Sequence, residues 1–386
     1  MNSIKKSNGI GHKYSRGFTL IEILIVIVII GILVTIATVT YNNRVNSAKE
    51  VTLLSDLRGA AGQLESERMA NDVYPSNANG LKRSDGTSLE ITSDGTTYCL
   101  TAVNKVGAYY ITNDNTTPRE GFCANHVDVY APEIANNTPI QDITRRQCQA
   151  LPVYDGTNDS ALRTLTDNRD GTTRSYRIAK LADNKCWMLD NLKLGKTTGT
   201  TTLTPANTNI ATNFTLPQLI TTGSTSYDVP QAIGPVPGDT GSGTTNYGYL
   251  YNWPAATSGE TQITMPAGSD NAQYSICPKN WKLPTGDTTG DFANLDRAFG
   301  GTGQYAGSGQ SNIAKWQNTG PFKGVFSGYW YGAFLDQGYG DYWWSSSAHP
   351  VYSSGAYSAY VYPDEVAPGD FIGDRSFWFG VRCLLN

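Results

Sequence analysis

The chain is short of the residues from which catalytic and metal sites are usually built. Among 386 residues there are three histidines, His12, His126 and His349, and six cysteines with no CxxC pair, so a zinc ligand set is lacking. Neither His126 nor His349 stands beside a nucleophile motif, and no phosphate-cradling glycine loop follows a strand. No catalytic activity, metal or cofactor is expected. Charged residues make up only 16%, and the formal net charge is −4. Residues 1–17 hold four basic side chains and no acidic one, so the remainder is more acidic still, and nucleic acid binding through a basic groove is excluded. Proline is absent from Phe18 to Tyr74, which leaves a helix there unbroken. Glycine (40) and tyrosine (23) are abundant, a profile of loop-rich β structure outside the cell, and the length suggests two or three domains.

Against this background one stretch stands out. From Phe18 to Val39 the only side chains that are not apolar are Thr19, Glu22, Thr35 and Thr38, with Gly31 among them, so the run reaches the ~20 residues a membrane helix needs. Lys5, Lys6, Lys13 and Arg16 precede it and hold that end in the cytoplasm. Glu22 interrupts the hydrocarbon surface at a cost of about 3 kcal/mol if buried alone, so it calls for a partner.

Gly17-Phe18-Thr19-Leu20-Ile21-Glu22, with its basic leader and apolar helix, resembles the amino terminus of type IV pilins and secretion pseudopilins. The resemblance covers residues 1 to about 70. It implies cleavage after Gly17 by a prepilin peptidase, methylation of the new terminus at Phe18, and assembly with other pilin subunits on an inner-membrane platform. A plain signal anchor explains the run but leaves Glu22 without a role, and Thr35-Ile36-Ala37 matches an ordinary signal cleavage site only weakly. The α-amine freed at Phe18 is the natural partner of Glu22, either in a neighbouring subunit, where it would set the stagger, or within the same helix.

The helix is expected to continue to about Asn71, ~80 Å in all. Leu54, Leu57, Ala61 and Leu64 recur at spacings of three and four, after Val45 and Ala48, and Asp56, Arg58, Glu65, Glu67 and Arg68 take the other positions. Gly31, Gly59 and Gly62 are its weak points. Beyond it, runs at Ser88–Ile91, Tyr98–Val103 and Gly107–Thr112, split by Ser-Asp-Gly and Asn-Asp-Asn turns, read as an antiparallel sheet laid on the helix. Residues 131–140, with Pro132 and Pro139, read as a linker.

Farther on, Leu165–Gly171 with Tyr176, Lys185–Leu192, Tyr247–Trp253, Cys277–Thr285, Tyr342–Ser347 and Gly380–Cys383 stand in the order of the Fib-succ-major paralogous (FISUMP) domain, which they resemble. This implies a loop-rich, C-type-lectin-like fold on a surface protein. Asp167–Gly171 lacks the ligand spacing of an EF-hand and reads as a hairpin turn. Leu283-Pro284-Thr285 with Asp287 and Asp291 reads as the capped start of a helix. The tract 197–259, whose only charges are Asp228 and Asp239, reads as long surface loops.

An even cysteine count in an exported chain points to disulfides. Six cysteines allow fifteen connectivities; Cys99 with Cys123, Cys148 with Cys186 and Cys277 with Cys383 are favoured, the others staying open. Tyr331, Tyr339, Tyr342, Trp343 and Trp344 crowd a glycine-rich stretch and are candidates for stacking on a sugar, with core packing as the plainer account of any single ring.

The expected fold class is therefore α+β: a long transmembrane and amphipathic helix with a small antiparallel sheet, then a lectin-like α+β domain. The expected layout is a leader at 1–17, a pilin-like domain at 18–140 (membrane part 18–39, amphipathic helix 40–71, β domain 72–130, linker 131–140) and a FISUMP-like surface domain at 141–386. The expected function is a minor or tip-located pilin-like subunit, single-pass in the cytoplasmic membrane as a precursor and then extracellular, that displays an adhesive domain for a glycan or cell-surface ligand. The alternative is a pseudopilin of a type II secretion-like export system that engages cargo.

Overall fold

The structure is a computed structural model. It describes residues 20–386 apart from 124–125, 127, 222–225, 227, 242 and 262–270, and within 20–43 it describes the side chains of Leu24, Ile27 and Ile29 alone. The chain forms two compact units, residues 1–123 and 124–386.

The first unit is a helix carrying a sheet. Helix α1 (Leu20–Asn71) runs for 52 residues, as the lack of proline allows. Four strands, β1 (Ser88–Ser93), β2 (Tyr98–Val103), β3 (Ala108–Thr112) and β4 (Asn115–Glu120), pair antiparallel in sequence order. Leu53, Leu57, Ala60, Ala61 and Leu64 bury one helix face with Leu89, Ile91, Leu100, Ala102 and Ile111 of the sheet. The buried stripe is thus centred on Leu53 and Ala60 as well as the expected Leu57, Ala61 and Leu64, while Leu54 is only partly buried. Polar ties reinforce the seam: Asp56 accepts from Ser84 N (3.0 Å) and Oγ (2.9 Å), and Gln63 Oε1 accepts from Lys82 N (2.7 Å). Pro118 sits in β4, an edge strand where a missing N–H costs no ladder bond. Cys99 is bonded to Cys123, closing the unit at its last residue.

The second unit is mostly β. A short helix α2 (Arg145–Gln149), held by a Thr144/Gln147 capping box, precedes β5 (Arg163–Asp167), β6 (Arg174–Lys180) and β7 (Cys186–Met188). These three belong to a five-stranded sheet that Leu384–Leu385 and Trp281–Lys282 complete. A second sheet of five short strands and a three-stranded one, Asp341–Ala348, Gly355–Val361 and Val366–Asp374, supply most of the rest. All eight tryptophans are buried in this unit. Disulfides Cys148–Cys186 and Cys277–Cys383 tie α2 to β7 and the approach to Trp281 to the last strand.

Two expectations are corrected here. Residues 131–140 are no linker: Ile134 and Ile140 are core residues of the second unit, Asn137 N donates to Thr164 O (2.7 Å), and Trp281 Nε1 donates to Ile140 O (2.8 Å). The prolines mark an extended segment that the sheet captures, and the boundary falls at 123/124. Nor is the tract 197–259 mainly surface loop. Leu203, Leu216, Leu219, Ile233, Leu250, Tyr251 and Trp253 within it are buried, because its low charge is that of a core with short strands.

The hairpin at Asp167–Gly171 is as expected, joining β5 to β6. The helix after Thr285 starts at Asp291 and runs to Ala298, and Thr285 Oγ1 accepts from Asp291 N (2.8 Å), so the threonine ties the helix start from five residues before Gly290.

Candidate functional site

The segment expected to drive assembly is the upstream part of α1. Among the described residues, the first bonded to the sheet is Lys49, whose carbonyl accepts from Asn104 Nδ2 (3.1 Å). Leu20 lies about 45 Å upstream of Lys49 along the helix, at 1.5 Å per residue. Leu24, Ile27 and Ile29 are each half or more exposed there, an apolar surface that the unit itself leaves uncovered. Among the described residues no helix is long and apolar enough to cross a membrane; most side chains of the apolar run lie outside that description. Glu22 lies in the first turn of α1, with its side chain undescribed, and Gly17 and Phe18 lie outside the described residues.

The aromatic cluster of the second unit divides in two. Trp343 and Trp344 are fully buried and Tyr342 nearly so, so these three sugar-stacking candidates are corrected to core residues. The strand that carries them, Asp341–Ala348, is buried along its whole length, covered on both faces, so alternation brings no ring to the surface. Their polar atoms are consumed inside: Trp343 Nε1 donates to Asn191 Oδ1 (2.8 Å) and Trp344 Nε1 to Tyr251 O (2.8 Å). Tyr331 and Tyr339 do reach solvent, at 48% and 55% exposure. Tyr331 packs against Phe377 and Tyr339 against Tyr362, with ring centres 4.6 and 5.1 Å apart.

Beneath them lies a carboxylate the sequence reading passed over. Asp336 Oδ2 accepts from Tyr342 Oη (2.8 Å) and Tyr362 Oη (2.5 Å), and the two phenols also touch one another. Burial, and then these bonds, push both phenols well above the ordinary tyrosine range, so they are permanent donors. The bonds fix Tyr362, on which the Tyr339 ring packs. The signal for it was the Tyr360/Tyr362 alternation twenty residues beyond Tyr342, legible only once those strands are paired.

The other motif residues are structural. Arg169, in the hairpin that could be mistaken for a calcium loop, spans Asp167 (2.8 Å) and Ile276 O (2.8 Å), and Asp170 holds Arg174 (3.1 Å). Those acids are already neutralised by arginine. His349 Nδ1 accepts from Tyr352 N (2.9 Å), which makes it a turn residue.

The amino-terminal unit joins an extended helix to a small antiparallel sheet, and residues 12–38 match the family model for the prokaryotic N-terminal methylation motif. The motif and the similarities below suggest a membrane-anchored precursor of pilin type. Type II secretion system core protein G of Pseudomonas aeruginosa is 38% identical over 70 residues, 18% of this chain and 49% of that protein. The same-named proteins of Klebsiella pneumoniae and Pectobacterium carotovorum are each 36% identical over 67 residues, 17% of this chain and 48% and 43% of theirs. The chain thus spans about half the length of the curated relatives it matches. No solved structure matches it.

Proposed function

We infer that the protein is a pseudopilin-type subunit of a type II secretion-like export machine. It is cut after Gly17, methylated at Phe18, and assembled with other pilin-like subunits through α1 on an inner-membrane platform, while its second unit faces outward to engage exported cargo. The similarity to type II secretion core protein G carries this reading, because it joins the methylation motif to a machine that exports protein rather than to a surface fibre.

The charge logic supports it. A freed α-amine at Phe18 and Glu22 of a neighbour neutralise one another in an apolar bundle, and a buried pair deprived of one member is strongly destabilised. The six-fragment resemblance to the FISUMP domain, with its lectin-like fold, belongs to the same proposal and gives the second unit a recognition role. A second reading, a minor adhesive pilin, is favoured by one observation, the exposed rings of Tyr331 and Tyr339.

The test is Glu22→Ala in the producing bacterium, with cross-linking of the membrane fraction and comparison of the secreted proteins. Intact membrane insertion, lost subunit cross-links and loss of specific exported proteins are expected. Normal assembly in that variant would refute the role of Glu22. An unchanged set of exported proteins on deletion of the whole chain, together with lost surface attachment, would replace cargo engagement by adhesion. Mass spectrometry of the mature protein should begin at a methylated Phe18, and recovery of only the Met1 form would end the pilin-type reading.

A further inference from the structure

Two adjoining cavities in the second unit are lined by chemistry that the proposed function does not use. One, of about 220 Å³, lies beside the Cys148–Cys186 disulfide and is lined by Arg145, Lys185, Lys282 and Asp291. The other, of about 230 Å³, is lined by Asn209, Asn271, Gln273, Tyr274 and Ser275. They share Lys282 and Asn386, which makes them neighbours.

The first cavity is cationic in a protein of net negative charge. Lys185 Nζ and Lys282 Nζ lie 2.7 and 2.9 Å from the two oxygens of Asp291, so one carboxylate serves two ammonium groups. Asp291 is itself fixed by Thr285 N and Oγ1, each at 3.0 Å. The exposed Arg145 guanidinium has no ion pair among the described residues. Among the lining residues Arg145, Lys185 and Lys282 thus stand beside one carboxylate, Asp291. Asp183, near enough to interact with Lys185 and Asp291, does not line the cavity and accepts from Trp187 Nε1 (3.0 Å) and Lys185 N (3.2 Å).

The second cavity is neutral and made of groups that both donate and accept. Asn209 Nδ2 donates to Ser275 Oγ (3.2 Å) and Asn271 Oδ1 accepts from Ser347 Oγ, and Asn209 Oδ1 and Asn271 Nδ2 have no partner among the described residues. The Gln273 amide and Tyr274 hydroxyl have no partner among the described residues. Glu260, the nearby acid, is spent on Gln273 N (3.2 Å) and Tyr274 N (3.3 Å). Amides and hydroxyls with a half-exposed phenol ring match vicinal sugar hydroxyls, each of which must give and take a hydrogen bond. An acidic peptide could meet the same cations, and Lys282 itself lies on an edge strand of the five-stranded sheet, so the two ligand classes are separated by experiment.

We propose that these neighbouring cavities form a binding site for an acidic saccharide, its carboxylate held at Arg145, Lys185 and Lys282 and its hydroxyls by Asn209, Asn271, Gln273 and Tyr274. The site is separate from Tyr331 and Tyr339, and it stands whether the subunit serves export or adhesion.

The experiment is isothermal titration of the full chain in detergent micelles, disulfides intact, with trigalacturonate, maltotriose, hexaglutamate and sodium sulfate as probes. Trigalacturonate should bind, more weakly as salt rises, and maltotriose should bind far less well. Arg145→Gln, at an exposed side chain without a partner, should weaken trigalacturonate binding roughly tenfold, the loss of one charge-assisted contact, and Gln273→Ala should weaken it as well. No binding at millimolar trigalacturonate overturns the site. Hexaglutamate binding as tightly would replace saccharide by peptide, and sulfate binding with Gln273→Ala silent would reduce it to an adventitious ion only. Assembly is scored separately by cross-linking, so the site can fail while the pilin-type reading stands, and the reverse.

Discussion

Replacing Arg382 by methionine isolates what a buried cation does for the second unit. Arg382 is fully buried. Its Nε donates to Asn191 Oδ1 (2.7 Å), its Nη2 to Lys323 O (2.9 Å) and its Nη1 to Phe322 O. The guanidinium carbon also lies 4.7 Å from the Phe322 ring centre and 4.9 Å from that of Trp343. Methionine keeps much of the stem but donates nothing. Asn191 Oδ1 retains Trp343 Nε1, and Asp341, the nearest acid, retains Ser327 Oγ (2.6 Å) and Val325 N (2.7 Å). The orphaned groups are the carbonyls of Phe322 and Lys323, at about 1–3 kcal/mol each when buried. Loss of the two cation–π contacts adds roughly 1–2 kcal/mol. Working the other way, burial of the guanidinium already costs enough to pull its pKa down to about 10, and that cost disappears in the variant. The net expectation is a loss of about 3 kcal/mol, within the range for breaking a buried charged network.

Because all eight tryptophans lie in the second unit, tryptophan fluorescence in urea reports that unit alone. A slope of about 3 kcal/mol/M would turn the loss into a midpoint lowered by roughly 1 M. Arg382→Lys should recover little, since a point charge cannot reach three acceptors in a plane. A methionine variant with an unchanged or raised midpoint would refute the reasoning, showing the arginine replaceable by a packed apolar side chain.

Three further outcomes are expected. Leu57→Ala, at a fully buried position between helix and sheet, should cost the first unit about 2–5 kcal/mol, read as lost amide-exchange protection in β2 and β3. Gly59→Ala and Gly62→Ala lie on the exposed face of α1 with nothing within 4 Å of an added Cβ; each should stabilise the helix by roughly 0.5–1 kcal/mol, and a lower melting temperature would count against that. Asp183 has its carboxyl raised to about 6 by burial, against bonds from Trp187 and Lys185 N. Its folded pKa stands above the unfolded value, so stability present at low pH is lost as pH rises through about 6, by about 2–3 kcal/mol. Asp183→Asn should therefore be more stable than the parent at pH 7 and gain nothing at pH 4, and an equal gain at both would show that titration is not the cause.

Much of the amino-terminal half was legible because its signals are local. A 52-residue helix follows from apolar periodicity without proline, and the strands at Ser88, Tyr98 and Ala108 follow from short β-branched and aromatic runs between turns. The stripe was misread by one residue at Leu54, since a helix with apolar residues at both 53 and 54 can present either, and only the sheet selects. The segment 131–140 misled because proline marks extended backbone equally well in a linker and in a captured edge. The bonding of Tyr342 and Tyr362 to Asp336 was not legible locally, because Tyr362 reaches that carboxylate from twenty residues beyond Tyr342.

The amino-acid order alone determined the rod at the start of the chain, the membrane-length run within it, and the cleavage motif of Gly17, Phe18 and Glu22, because each rests on neighbours within one or two helical turns. Only the tertiary structure decided which aromatic rings face water and which fill the core, and only it gathered Arg145, Lys185, Lys282 and Asp291 around one cavity. Exposure and convergence depend on which distant segments pack together, and no window of sequence contains that pairing.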